Sequence, residues 1–359
     1  MSGSSGGEEI LGVDRRKALI TIGVAAVLAL GAVALIGSVA SYDKLIEAAK
    51  KADKTWFPVC LLGEVLAYAG YIVGYRGIAR AREGPRFDYW TVTRIVGVGF
   101  GAFVVAASVG GLAVDFWALT RAGKDPHDAA RRVLALNTLE WAALGFFAWV
   151  AALALVAGAG EGAPLTVTLG WLVAIPAFFA AAYFVSSPER VERLRELPTG
   201  EGPEERGRDP RRWASWLWVK ARQGFADAVG AVAFVRYLFS TPLRHAESLG
   251  GFPLYWLGDI VCLYAALRAF GADVGPAPLV LGYATGYVVT SAPLPVGAAG
   301  ASEATTAFTL HLVGVPLEKA ILAVFAFRFF TFWLPIVPAV ALLPQVRKLN
   351  EELPGTASA

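Results

Sequence analysis

Apolar runs alternate with short polar segments along most of this chain, and the pattern predicts an all-α fold, a polytopic membrane helix bundle. Each run is close to the length of about 20 residues that a helix needs to cross a hydrocarbon core of roughly 30 Å. We interpret as simple spans the runs 18–40, 56–75, 133–157, 164–185, 252–270 and 320–343. Two further apolar runs, 95–120 and 279–312, are interrupted by glycine or proline.

Composition supports a membrane environment. Hydrophobic residues make up 56% of the 359 positions and charged residues 17%, a more apolar balance than that of soluble domains. The net charge of +3 is modest, so we expect no nucleic-acid partner. Cys60 and Cys262 lie inside apolar runs and the three histidines are far apart, which argues against a disulfide framework, a metal site or a cofactor.

The basic residues predict the orientation of the spans, because cytoplasmic loops of membrane proteins are enriched in Lys and Arg. Arginines follow the second run at 76–86 and fill the loop 186–223, whereas the loop 158–163 has no Lys or Arg. We therefore expect a plasma-membrane protein with both termini in the cytoplasm. The lysines at 44–54 disagree with this bias. A signal-peptide interpretation of 18–40 is disfavoured by the length of the run.

This orientation divides the chain into five segments. We expect a disordered cytoplasmic N-terminus, a first membrane half, a charged cytoplasmic loop with an amphipathic helix at the membrane interface, a second membrane half and a cytoplasmic tail. The interfacial helix is predicted at 213–238 from its tryptophans and basic residues, with a tilted extra span as the alternative. The segments are 1–17, 18–185, 186–250, 251–345 and 346–359.

The two interrupted runs are predicted to be re-entrant hairpins. The run 95–120 has basic residues at both ends, so a straight span would place one basic cluster outside the cell. A hairpin broken at 108–111 leaves both clusters inside. The run 279–312 closes the topology only if it enters and leaves on the outer face, broken at 293–300, where Pro293 and Pro295 cannot continue a helix.

The two hairpin segments are similar in sequence. An aromatic residue followed by two valines, a glycine break, an acid and a proline occur in the same order in both, and a span follows each. Opposed hairpins of this kind are typical of the inverted repeats of secondary transporters, whose broken helices mark the substrate site. Chance similarity among small residues is the alternative.

Charged residues inside the apolar runs are candidate functional groups, because each costs about 2.5 to 3.5 kcal/mol on insertion scales. Arg328 could pair with Glu140 across the repeat, with Glu303 or Asp259, or bind a lipid phosphate. A purely structural ion pair is the competing interpretation, and Glu64 is interpreted as a satisfied structural acid. The candidates are Asp115, Glu140, Asp259, Glu303 and Arg328.

Glycines in the two breaks are further candidates. Half-helices that begin after a break would direct backbone N–H groups at an anion such as a phospholipid headgroup, and glycine permits a close approach of that group. The residues concerned are Gly110, Gly111, Gly297 and Gly300.

The C-terminal third carries a recognisable motif. It consists of 293–300 followed by Glu303, the turn 314–316, Arg328 and the aromatic stretch 329–335. This motif resembles the transmembrane domain of the lysylphosphatidylglycerol synthase family, and weaker similarity extends from the first span to Leu343. The first hairpin departs from the family pattern, since it lacks a proline before the glycines and has Asp115 near the usual glutamate.

The resemblance implies a flippase-like domain that moves an aminoacylated phospholipid from the inner to the outer leaflet. We expect a stand-alone member without the aminoacyl transferase domain, and hence a transporter rather than an enzyme. Its expected partners are membrane lipids, anionic or aminoacylated, with a homo-oligomer or a partner enzyme also possible. The alternative function is a non-transporting, lipid-binding partner of a lipid-modifying enzyme. The departures in the first hairpin leave the identity of the lipid open.

Overall fold

The structure, a computed structural model, describes residues 42–158, 163–195, 210–288, 300–342 and 344–354, and every regular element within these ranges is helical. A 3₁₀ turn, Lys54–Trp56, precedes the second helix, and a π-helical turn, Phe329–Trp333, joins α11 to α12. The helices are α1 Tyr42–Lys50, α2 Phe57–Arg80, α3 Tyr89–Arg121, α4 Pro126–Val156, α5 Leu165–Val185, α6 Pro188–Arg195, α7 Pro210–Ser240, α8 Ala246–Ala269, α9 Pro276–Tyr287, α10 Ala301–Leu312, α11 Leu317–Arg328, α12 Leu334–Leu342 and α13 Gln345–Glu352.

Five helical stretches are long and apolar enough to cross a membrane, and they coincide with five of the six predicted simple spans. They are Lys54–Arg80, Pro126–Val156, Leu165–Val185, Ala246–Ala269 and Leu317–Leu342. The sixth predicted span, 18–40, lies outside the described residues. The prediction of a polytopic α-helical membrane protein is thus confirmed.

Helices α2 and α8 form the centre of the bundle and pack with their backbones in contact. A Cβ atom added at Gly63 would lie 2.8 Å from the oxygen of Gly258, and one added at Gly70 would lie 2.5 Å from the nitrogen of Tyr255. Small residues let membrane helices approach this closely. Contacts run from Gly63 with Gly258 to Gly77 with the residues around 248, so the two helices are antiparallel.

Helix α3 reverses direction within its length. Arg94 binds Glu352 at 2.5 Å, and Arg121 donates to the oxygen of Asn350 at 2.8 Å, so both ends of α3 contact the short helix α13. In a straight helix, Arg94 and Arg121 would lie about 40 Å apart at 1.5 Å per residue. A Cβ atom at Gly110 would overlap the oxygen of Ala102, so two arms of α3 lie side by side.

The backbone of α3 is nevertheless helical throughout Tyr89–Arg121, including 108–111, where a break was predicted. The contact of Gly110 with Ala102 places the reversal between these two residues, so the break predicted at 108–111 is not seen at that position. The glycine at 110 has no Cβ atom, which permits the two arms to touch.

Helices α9 and α10 form a second antiparallel pair. Thr309 Oγ1 donates to the oxygen of Gly282 at 2.7 Å, and a Cβ atom at Gly286 would lie 2.6 Å from the Cα atom of Thr306. The residues between the two helices, 289–299, lie outside the described part of the chain, and with them the predicted break and its residues Pro293, Pro295 and Gly297.

The two arms of α3 form one helical pair, and α9 with α10 forms the other. The bases of these two pairs lie at opposite ends of the bundle. The base of α3 lies beside α13, on the end that also holds the ion pair between Arg76 and Glu247 at 2.8 Å. We call this the basic end. The base of the α9–α10 pair lies at the other end, where Lys319 Nζ donates to the oxygen of Gly271 at 2.7 Å and the amide of Asp53 donates to Ala269 at 2.7 Å.

Helix α7 contains the predicted amphipathic helix 213–238 and begins three residues earlier, at Pro210. Together with α6, it gives regular structure to part of the predicted connector 186–223. Asp227 binds Arg131 and His127, each at 3.2 Å, and the guanidinium of Arg236 lies 4.3 Å from the ring centre of Tyr183. The C-terminal half of α7 therefore packs against the ends of α4 and α5 at the basic end. Its position at a membrane interface stays a prediction.

Candidate functional site

A cavity of about 220 Å³ lies in the middle of the bundle, between α2, both arms of α3, α4, α8, the C-terminal end of α11 and the π-helical turn. The tip of α9 also reaches it. Its lining combines carboxyl groups, an arginine and many aromatic rings: Glu64, Tyr68, Tyr71, Val96, Gly99, Phe100, Phe103, Gly111, Leu112, Asp115, Asn137, Glu140, Trp141, Tyr255, Asp259, Tyr287, Phe327, Arg328, Thr331 and Phe332.

Four carboxyl groups converge on this cavity from four different helices. They belong to Glu64 of α2, Asp115 of α3, Glu140 of α4 and Asp259 of α8. Acids placed this deep in a bundle face partners or a water-filled pathway, because apolar surroundings penalise their charged form. Arg328 is the cationic side chain of the lining. Carboxyl groups therefore outnumber cations in this lining, and they offer hydrogen-bond acceptors to a ligand that carries donors.

Arg328 is held in place by a pair of residues from α10. Its Nε donates to Glu303 at 3.0 Å, and its Nη2 donates to the hydroxyl of Ser302 at 2.8 Å. Of the pairings left open by the sequence, the structure contains the one with Glu303. The π-helical turn begins at the next residue, and such turns are frequent at functional sites of helices.

Glu303 also caps its own helix. Its Oε2 accepts from the amide of Gly300 at 2.6 Å and from the hydroxyl of Ser302 at 2.9 Å, and Gly300 has a φ of 84°, which favours glycine. The N-terminus of α10 thus binds a carboxylate of its own chain. Glu303 is 3% exposed, so it lies behind Arg328 and supports it.

The second helical pair reaches the cavity through tyrosines. Tyr283 of α9 donates its hydroxyl proton to Asp259 at 2.6 Å. Tyr287, one turn further, packs against Trp141 at 5.7 Å and Trp256 at 5.0 Å between ring centres. The hydrogen bond fixes the carboxylate of Asp259, and the rings connect α9 to α4 and α8.

Aromatic rings cover much of the remaining wall. Tyr71 and Tyr255 meet at 5.5 Å between ring centres, Tyr68 and Phe100 at 6.0 Å, and Phe100 and Phe332 at 6.3 Å. The faces of such rings attract cations. Together with the surplus of carboxyl groups, they make the cavity suited to an ammonium or guanidinium group.

The candidates from the sequence fall into three groups. Those that line the cavity are Gly111, Asp115, Glu140, Asp259 and Arg328. Three others support the site from behind, since Gly110 joins the arms of α3, Gly300 begins α10 and Glu303 binds Arg328. The remaining candidates, Pro293, Pro295 and Gly297, lie outside the described residues.

Sequence reasoning missed Glu64 and most of the aromatic wall. Glu64 was interpreted as a satisfied structural acid, but its Oε2 has no hydrogen-bond partner among the described residues and it lines the cavity. A signal was available, because Glu64, Tyr68 and Tyr71 are spaced by four and three residues and so share one face of α2. That face was not recognisable as a site before its partners on α3 and α8 were known.

Comparison with known proteins identifies a family that matches most of the chain. Residues 19–339 match the family described as lysylphosphatidylglycerol synthase TM region. The match includes all the helices that line the cavity. No curated protein matches the chain.

Proposed function

Since the chain belongs to the lysylphosphatidylglycerol synthase transmembrane family, we propose that it moves the headgroup of a phospholipid or related lipid between the two leaflets of its membrane. The observation that carries this proposal is the central cavity, in which Arg328 and four carboxyl groups meet between two helical pairs that open toward opposite ends. A polar site at this depth is what a headgroup needs in order to cross an apolar bundle.

We further propose that the molecule is an inverted repeat with two re-entrant hairpins. Helices α2 and α8 both have 24 residues and are antiparallel, and each precedes a helical pair and then a span. In transporters with this arrangement, the substrate site lies near the midplane between the repeats, and access alternates between the two sides. The position of the cavity between the two pairs supports this assignment.

The charges suit a zwitterionic or cationic headgroup. We propose that Arg328 binds the lipid phosphate, because a guanidinium matches the geometry of phosphate oxygens. Asp115, Glu140 and Asp259 are the groups for an amine, as in an aminoacylated phospholipid. We propose that both termini lie in the cytoplasm of a plasma-membrane protein, since the basic end of the bundle carries most of the arginines that follow the spans.

The test is a leaflet-movement assay in proteoliposomes with fluorescent headgroup-labelled lipids, including an aminoacylated phosphatidylglycerol. Glu140→Gln and Arg328→Ala are expected to lower the transport rate at least tenfold, because each removes a headgroup contact. Asp273→Asn is the matched control, since this acid is 85% exposed and lies outside the cavity.

A double variant separates a lost contact from an unpaired charge. Arg328→Ala alone leaves the buried carboxylate of Glu303 without its partner, which is strongly destabilising. Arg328→Ala combined with Glu303→Gln removes both charges, and we expect it to fold and still fail to transport. Transport at the native rate by the folded double variant would contradict the proposal. Lipid that binds the native chain without changing leaflet would support the lipid-presenting alternative instead.

The same assay addresses energy coupling. The sequence contains no Gly-x-x-x-x-Gly-Lys phosphate loop, so we propose that transport is either coupled to protons through an acid such as Asp115 or is downhill. Rates measured with and without a pH gradient distinguish these modes, because only coupled transport accumulates lipid against its gradient.

A further inference from the structure

A second, apolar cavity opens on the side of the bundle, between α2, the first arm of α3 and the segment 330–342. We call it the lateral groove, and its volume is about 520 Å³. Its lining is almost entirely hydrophobic: Leu61, Glu64, Val65, Tyr68, Ala69, Ile72, Thr93, Val96, Gly97, Phe100, Phe330, Leu334, Pro335, Val337, Pro338, Ala339 and Leu342.

The lateral groove adjoins the central cavity. Four residues line both spaces: Glu64, Tyr68, Val96 and Phe100. A polar space in the centre and an apolar space at the side therefore share one wall. This combination matches an amphipathic molecule, whose polar and apolar parts are joined in the same way.

Glu64 lies at this junction between the two spaces. It is 6% exposed, and its Oε2 has no hydrogen-bond partner among the described residues. A buried carboxyl oxygen left without a partner is unfavourable. The arrangement calls for a ligand that brings a hydrogen-bond donor or a positive charge to this point.

We propose that the lateral groove binds one acyl chain of the transported lipid while the headgroup occupies the central cavity, and that Glu64 binds a donor group at the boundary between them. The proposal rests on the proposed function and adds the path by which the lipid enters from the bilayer. Walls that are open to the side support it, since Val65 is 59% and Val337 67% exposed.

The rival occupant is an apolar segment of this chain, such as 18–40. Only two side chains of 18–40, Thr21 and Ser38, carry a donor and both lie near its ends, so this segment would cover Glu64 while offering it few donors. A lipid carries hydroxyl or ammonium donors in its headgroup, a few atoms beyond the esters of its acyl chains, so one molecule can contact both the apolar walls and the acid. The charge and the continuity with the central cavity therefore favour lipid.

Photo-crosslinking in nanodiscs tests the occupant directly. A photoreactive amino acid at Val65, in nanodiscs of phosphatidylglycerol and phosphatidylethanolamine, is expected to yield a lipid adduct detectable by mass spectrometry. The same residue at Leu62, which is 67% exposed but not part of the lateral groove, is expected to yield at least fivefold less adduct. Crosslinks from 65 to residues 18–40, or equal lipid adducts at both positions, would overturn the proposal.

Blocking the lateral groove provides an independent measurement. Val65→Trp is expected to lower the rate of lipid transport about tenfold relative to Leu62→Trp, which adds the same ring to the same helix. Native transport rates in both variants would overturn the proposed role of the lateral groove and would not contradict the proposed function. Lipid adducts at 65 in a chain that transports no lipid would support the groove and contradict the proposed function.

Glu64→Gln tests the contribution of the acid separately from that of the shape of the lateral groove. Glutamine keeps the size of the side chain but loses its charge, so we expect the adduct at 65 to persist. We expect the transport of lipids with an amine in the headgroup to fall at least fivefold more than that of phosphatidylglycerol. An equal change for both lipids would overturn the role of Glu64.

Discussion

Arg132 has a structural role that its sequence context did not indicate. In the sequence it is one of several basic residues that set the orientation of the bundle. In the structure it is 1% exposed, and its guanidinium donates to the oxygens of Ile78, Ala79 and Ala81 at 3.0, 3.0 and 2.7 Å. It thus caps the C-terminus of α2, whose last carbonyl groups have no partners within the helix.

We expect Arg132→Leu to destabilise the protein by about 3 kcal/mol, because it leaves several buried carbonyl groups and Asp128 without their donor. Thermal unfolding in detergent, followed by fluorescence, measures the change. Arg347→Leu is the control, since that side chain is 82% exposed. An unfolding midpoint equal to that of the control would show that the cap contributes little.

At the scale of elements, the sequence predicts the spans well because their signal is local. A run of about 20 apolar residues has few alternatives to a membrane helix, and five of the predicted spans agree with helices. The reversal within α3 was predicted from charges, whereas its break was placed wrongly, because the contact of Gly110 with Ala102 is a tertiary feature. The sequence predicted mainly the charged residues of the cavity, since the aromatic wall depends on which faces of several helices meet.

The contact between α2 and α8 depends on glycines, and substitution should show it. Gly70→Ala is expected to lower the unfolding temperature strongly, because the added Cβ atom would lie 2.5 Å from the nitrogen of Tyr255. Gly170→Ala in α5 is the matched control, because no atom lies within 4 Å of its Cβ position. Similar unfolding temperatures for the two variants would contradict the close packing.

The docking of α13 on α3 is expected to depend on pH. The hydrogen bond from Arg94 lowers the pKa of the Glu352 carboxyl below its usual value of 4.5. The ionised carboxylate therefore stabilises docking above pH 4.5, and this contribution is lost as the pH falls through the lowered pKa. Protease sensitivity of 345–352 in the native chain should rise as the pH falls through this lowered pKa. In Glu352→Gln the sensitivity should stay constant over the same pH range, and a rise like the native one would refute this origin.

At the scale of the whole molecule, the opposite openings of the two helical pairs are the feature that local sequence signals define least. They follow from contacts between distant residues, such as those of Arg94 and Arg121 with α13 and of Lys319 with Gly271. The charge bias of the loops predicts a hairpin at α3, because a basic cluster at each end disfavours a straight span, and its re-entrant course in the membrane stays a prediction.

Cysteine accessibility tests this arrangement in intact cells. In a background with Cys60 and Cys262 replaced by serine, Trp90→Cys in the first turn of α3 and Lys124→Cys just after its end should react with a membrane-impermeant thiol reagent only after permeabilisation. Asp273→Cys, at the base of the α9–α10 pair, should react without it. Reaction of positions 90 and 124 from opposite sides would show that α3 crosses the membrane.

The backbone contact between α2 and α8 has a mechanical consequence. Two helices whose glycines touch over several turns, from Gly63 to Gly77, cannot slide past each other without steric overlap. They must therefore behave as one rigid body, with no movement of α2 relative to α8. Any motion that exposes the cavity first to one leaflet and then to the other has to come from α3, from the α9–α10 pair and from the spans that follow them.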